Sequence, residues 1–231
     1  MSFMFRFNAN SAFALSISFL LSTGKVFSTC FDEAKLATLL VPPLVVENRG
    51  EISGRATVNI ASQFKNDFSY QIKVLPWARA LMTAVQGEVD GIFPVLRSPV
   101  REEYLKYIEP EIGYVTVSLF KLAGSRPESS NHKMSIATLR SFQFERSVFK
   151  GSKIIEVGTF KQATQMLEAG RVDYVLGVKE IIEHDFKQKQ ESLIEHYQII
   201  EHRPIYLAIA KSSPNYEKLA SCLKVAEKSQ L

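Results

Sequence analysis

The side chains able to do covalent or metal chemistry in this sequence are few and scattered. Four histidines (His132, His184, His196, His202) and two cysteines (Cys30, Cys222) fall at no metal-ligand spacing, so neither a metal centre nor a cofactor is expected. No nucleophile–histidine arrangement is evident. Glu156 and Glu180 are the carboxylates that general acid–base chemistry would have to use, and no spacing supports them. Lys and Arg total 28 against 24 Asp and Glu, for a net charge of +4 and a pI near 9.0. The basic residues are interspersed with acids and form no cluster interleaved with aromatics, which argues against nucleic acid as a partner.

These side chains are carried by 231 residues that are 46% hydrophobic and 11% aromatic, the composition of a globular protein of one or two domains. Residues 1–28 stand apart. Arg6 and Lys25 are their charges, Ala12 to Leu21 is a run of ten apolar or small residues, and Val26-Phe27-Ser28 closes the segment. That is the pattern of a secretory signal peptide, and the run is too short to span a membrane. In an oxidising compartment Cys30 and Cys222, near the two ends of the mature chain, have three options: one disulfide, two separate thiols, or a lipid anchor on Cys30. Thr29 before Cys30 speaks against the anchor.

Beyond the signal segment, strand-like runs alternate with amphipathic helical patterns, which predicts α/β layers. The spacing predicts a helix over Trp77 to Gln86, with Trp77, Ala80, Leu81, Ala84 and Val85 on one face and Gly87 ending it. A strand from Val89 to Val95 follows. A second helix over Phe160 to Ala169, ended by Gly170, again leads into a strand, Val172 to Val178. The two units share the order helix, Gly, any residue, Val, Asp, strand at a separation of 83 residues, and so predict two lobes of similar architecture. Asp90 and Asp173 are expected to be structural, bonding backbone donors as the chain turns. Val115 to Leu122 reads as a strand and Ala123 to Lys133 after it as a polar break, and together they read as the crossing between lobes. Ile205 to Ala210 makes a further strand. Ser213-Pro214 then opens a final helix, with Leu219, Cys222, Leu223 and Ala226 on one face, that returns to the first lobe.

Leu75-Pro76-Trp77-Ala78-Arg79-Ala80, the Gly87 to Phe93 unit and the block Arg101 to Pro110 resemble, in order and spacing, the extracellular solute-binding proteins of family 3. These are the periplasmic receptors of polar amino-acid uptake systems. Arg101, Tyr107 and Pro110 reproduce the family's arginine, five residues, aromatic, two residues, proline, and the likeness extends over most of residues 35–231. It implies an α/β, two-lobed periplasmic-binding-protein-like (type II) fold, two α/β lobes joined by a two-strand hinge. Lobe 1 would comprise residues 29–116 plus 205–231, and lobe 2 residues 117–204. It also implies a periplasmic, monomeric, non-catalytic receptor that closes over a small-molecule ligand and serves a membrane permease or a sensor. Because this scaffold also hosts dehydratases acting on carboxylated rings, an enzyme is the alternative.

The resemblance assigns Arg101 to the ligand's α-carboxylate, a role suited to a planar guanidinium that offers two parallel donors and keeps its charge. Arg97, Ser98, Phe93 and Trp77 beside it, and Ser141 from the other lobe, complete the candidate ligand-binding set, on this chain's own residues and not on the resemblance. Trp77, at the start of an amphipathic helix, also fits a core role. The chain departs from the family in several places. Val95-Leu96-Arg97-Ser98-Pro99 replaces a hydroxyl-bearing loop with a second cation, and no aromatic follows Pro42-Pro43. Arg140-Ser141-Phe142 is what remains of a Gly-rich turn in lobe 2, and Val178 stands where an acid would bind the α-ammonium. A carboxylate or more acidic small molecule is therefore expected in place of a standard zwitterionic amino acid.

Overall fold

The structure, a computed structural model, describes residues 31–64, 68–125, 133–187 and 193–229. The expected signal peptide, Cys30, His132 and residues 126–132 of the polar stretch lie outside the described residues. Strands and helices alternate along the chain: β1 (Phe31–Thr38), β2 (Val46–Asn48), β3 (Glu51–Ser53), α1 (Arg55–Phe64), β4 (Phe68–Val74), α2 (Trp77–Val85), β5 (Gly91–Leu96), α3 (Pro99–Glu102), β6 (Leu105–Leu122). They continue as β7 (Ser135–Leu139), a 3-10 turn (Arg146–Phe149), β8 (Lys153–Val157), α4 (Phe160–Glu168), β9 (Tyr174–Val178), α5 (Lys179–Lys187), β10 (Ile194–Ala210) and α6 (Tyr216–Ser229).

Eight strands share one sheet in the order β4-β1-β5-β10-β6-β9-β7-β8. The outer triplets are parallel, each joined by crossovers, while β10 and β6 run antiparallel through the middle. The triplets repeat each other in their hydrogen bonds. The Lys35 amide donates to Asp90 Oδ2 at 2.7 Å and the Asp90 amide to the Lys35 carbonyl at 2.7 Å. The Ser135 amide donates to Asp173 Oδ2 at 2.7 Å and the Asp173 amide to the Ser135 carbonyl at 3.0 Å. Three residues further along each strand, Thr38 Oγ1 donates to the Phe93 carbonyl (2.7 Å) and Thr138 Oγ1 to the Leu176 carbonyl (2.9 Å). Leu36-Ala37-Thr38-Leu39 and Ile136-Ala137-Thr138-Leu139 are thus equivalent segments, 100 residues apart. Both aspartates are structural, as expected. Asp90 goes further, because Ser213 Oγ (2.5 Å) and Asn215 Nδ2 (3.0 Å) also donate to its Oδ1 and so tie down the approach to α6.

The helices end as their glycines predict: Gln86 and Ala169 are the C-caps, followed by Gly87 at φ 72° and Gly170 at φ 65°. The strands after them begin two residues later than the apolar runs suggest, because Val89 and Val172 are buried on the turn ahead of the ladder. A Cβ at Gly87 would lie 2.5 Å from the Ser212 carbonyl oxygen, whereas at Gly170 it would meet nothing within 4 Å. Gly170→Ala should therefore cost only the left-handed backbone, about 1 kcal/mol. Gly87→Ala must also push the chain off the α6 approach, and should cost about twice that or more, read as the difference between the two urea midpoints.

β6 carries the chain from one half of the sheet to the other, pairing with β10 along its length and with β9 over Val117 to Phe120. Pairing of β6 with β10 runs unbroken in sense from Leu105↔Ala210 to Leu122↔Ile194. Between Leu207↔Ile108 and Ile205↔Gly113, two steps along β10 face five along β6, so Glu109 to Ile112 bulge out of the ladder. The final helix begins at Tyr216, three residues after Ser213, and buries Leu219, Cys222 and Leu223. Cys222 is disulfide-bonded.

Candidate functional site

α3 is a single turn whose geometry is set by its first residues. Ser98 is its N-cap, with Oγ accepting from the Arg101 amide at 3.4 Å, and Pro99 occupies the first helical position. That turn swings the Arg101 side chain back beneath the end of β5, where only 2% of the residue is exposed. Its Nη1 donates to the Leu96 carbonyl and its Nη2 to the Ser141 carbonyl, both at 2.8 Å, and its guanidinium lies 5.3 Å from the Trp77 ring centroid. The Leu96 carbonyl also accepts from the Tyr107 hydroxyl at 3.0 Å. Burial pushes the Arg101 guanidinium below its ordinary value, and the phenols of Tyr107 and Tyr104 act in the opposite direction.

Among the described residues no carboxylate pairs with Arg101, and its Nε has no hydrogen-bond partner. A buried cation without a counter-ion is costly.

Arg101 borders a cavity of ≈ 60 Å³ between the two halves of the sheet, and the other thirteen of its fourteen lining residues are apolar. A larger cavity of ≈ 320 Å³ adjoins it, sharing Leu39, Val41, Trp77, Leu139, Phe160 and Ile181, and bears one acid, Asp185. The walls obey the internal repeat. Leu39 directly follows β1 and Leu139, its equivalent, ends β7, while Trp77 and Phe160 are the first residues of α2 and α4.

The expected site residues are divided by the fold. Trp77 and Arg101 line the inner cavity, and Ser141, at φ 62°, meets Arg101 through its carbonyl. Ser98 caps α3 and lines neither cavity. Phe93 is fully buried within β5, away from both cavities. Arg97, with 40% of its side chain exposed, pairs with Glu109 in the β6 bulge and lies 3.8 Å from Glu102. It also stacks 4.5 Å from the Tyr206 ring centroid and 5.0 Å from that of Tyr107. Glu180 accepts from the Thr116 amide (3.0 Å) and Thr116 Oγ1 (3.0 Å), and Glu156 pairs with Arg146 at 2.8 Å; neither lines the inner or the outer cavity.

Sequence reasoning missed Arg203 on β10. Its Nη1 donates to the Gln143 carbonyl at 3.0 Å, its Nη2 to the Arg97 carbonyl, and Glu201 lies 3.6 Å away. Arg101 and Arg203 therefore each join a carbonyl at 96–97 to one at 141–143, stitching the two halves together at the cleft. An arginine that donates to main-chain carbonyls leaves no signature in side-chain spacing. Arg203→Ala should remove two charge-assisted bonds worth about 3 kcal/mol or more together and shift the protein toward a more open form. A larger radius of gyration in small-angle scattering would show it.

No protein-family model matches the sequence, and no curated protein matches it. Solved structures match in fold. The periplasmic domain of BvgS from B. pertussis has a TM-score of 0.71 at 15% identity over 85% of this chain, which spans 40% of that one. The arginine-bound form of truncated ArgBP from T. maritima gives 0.68 at 12% identity over 86% of this chain and 96% of its own. The GluR0 ligand-binding core in complex with L-glutamate gives 0.66 at 14% identity over 86% and 93%. The chain has the same mixed α/β, two-lobed, periplasmic-binding-protein-like fold.

Proposed function

We propose that this protein is an extracytoplasmic receptor that captures a small carboxylate-bearing ligand between its lobes, for uptake or for sensing, without covalent chemistry. On this reading residues 1–28 direct export, and the lobes divide at 116/117 and 204/205. The observation that carries the reading is Arg101: buried, unpaired with any acid among the described residues, and bordering an apolar cavity between the halves. The arginine-bound and L-glutamate-bound neighbours support it, since each of those proteins holds a carboxylate-bearing ligand in this fold.

The chemistry is exchange. A carboxylate replaces the Ser141 carbonyl on the guanidinium and accepts from two donors in parallel. Ligand contacts with both lobes then favour closure over opening, by as much as they differ between the two states. A membrane permease or sensor would read the closed form. Calorimetric titration with small carboxylic acids should give binding in the wild type and none in Arg101→Met. Binding that survives the substitution would sink the proposal.

A further inference from the structure

Resting on that reading, we infer that the ligand is an apolar-bodied monocarboxylate that lacks an α-ammonium group. In the inner cavity the Arg101 guanidinium stands alone among apolar side chains, so the site offers one strong handle, and that handle is for an anion. An α-ammonium sits on the carbon next to the carboxylate and is carried into the inner cavity with it. It would bring three donors and a full charge into a place with no acid among the described residues, because Asp185, the one acid they place on either wall, belongs to the outer cavity. The Ser141 carbonyl, once displaced from Arg101, is a single neutral acceptor and leaves most of that charge uncompensated.

The body of the ligand meets the opposite chemistry. Trp77 and Phe160, the first residues of equivalent helices, face both cavities together with Leu39 and Leu139, one from each repeat. The inner cavity holds ≈ 60 Å³ and the outer ≈ 320 Å³, so the carboxylate end occupies the former while a branched or aromatic body lies between Trp77 and Phe160 and reaches the latter. Aromatic and aliphatic groups gain there from removal of apolar surface from water.

The test compares matched pairs that differ by the amino group alone: 3-phenylpropanoate with L-phenylalanine, and 4-methylpentanoate with L-leucine, each titrated into the exported protein by calorimetry. Trp77 is the single tryptophan of the chain, so its fluorescence reports occupancy of the same cleft. The expected result is saturable binding of the acids at least tenfold tighter than of the amino acids, no binding of 3-phenylpropanamide, and loss of acid binding in Arg101→Met. If an amino acid binds as tightly as its deaminated partner, the inference falls while the carboxylate reading stands. If the amide binds as well as the acid, if Arg101→Met binds normally, or if neither acids nor amino acids bind, both fall.

Discussion

Arg101→Met should yield a folded protein, with thermal stability unchanged or raised, that has lost carboxylate binding. Two bonds disappear with the guanidinium, those to the Leu96 and Ser141 carbonyls, but Leu96 keeps the Tyr107 hydroxyl as a donor. The loss is offset by removal of a buried charge that has no acid to balance it among the described residues, and methionine supplies a flexible apolar chain against Trp77. Exchanging buried charges for apolar groups of similar volume is often neutral or stabilising. Binding is affected in the opposite sense. A bidentate, charge-assisted contact is worth about 3 kcal/mol or more, so affinity should fall by roughly 100-fold or beyond. Calorimetry and a thermal melt on the same sample separate the two effects. A variant that unfolds would show that Arg101 is held for stability instead.

The largest loss of stability is expected from Asp90→Ala. The Asp90 carboxylate, on a residue 4% exposed, accepts from the Lys35 amide, Ser213 Oγ and Asn215 Nδ2, which belong to β1 and to the segment that leads into α6. Truncation leaves those donors buried without an acceptor, at about 1–3 kcal/mol each where no water can enter. A total of about 4 kcal/mol is expected, lowering the melting temperature by roughly 10 °C. Asp173→Ala is the internal control. It removes bonds to the Ser135 amide and Oγ in the equivalent place, but those groups are exposed and water replaces the carboxylate, so the cost should be about 1 kcal/mol. Equal midpoints in urea for the two variants would refute the comparison.

What was legible in the sequence was local. The faces of α2 and α4, their glycine stops and the aspartates after them depend on residues three or four apart and match the structure to within two residues, except that Val85, expected on the inner face of α2, is exposed while Thr83 is buried. The long strands were not legible. The first half of β10 is a ribbon exposed on much of both faces, so Glu195, Gln198 and Glu201 conceal its period, and Pro110 in the β6 bulge imitates the end of a strand. In the site, Arg97 and Arg101 are the same residue type four positions apart. Only the bulge that brings Glu109 to the first and the α3 turn that aims the second inward tell them apart. Leu39, Leu139 and Phe160 carry no mark that separates a cavity wall from an ordinary core. The repeat they obey became visible through paired hydrogen bonds from Thr38 and Thr138.

The place of β10 in the sheet has a consequence for the order in which the molecule can assemble. Ile205 to Ala210 is wedged between β5 and β6, and the residues leading into α6 lock onto Asp90. The N-terminal triplet β4-β1-β5 is thus the first to emerge during synthesis and the last to be finished. The second triplet, drawn wholly from residues 135–178, has all its strands available much earlier. A chain threaded from its N-terminus must therefore keep its leading third unfinished until about residue 210 has arrived, and that interval is when β5 presents an unpaired edge to any other strand.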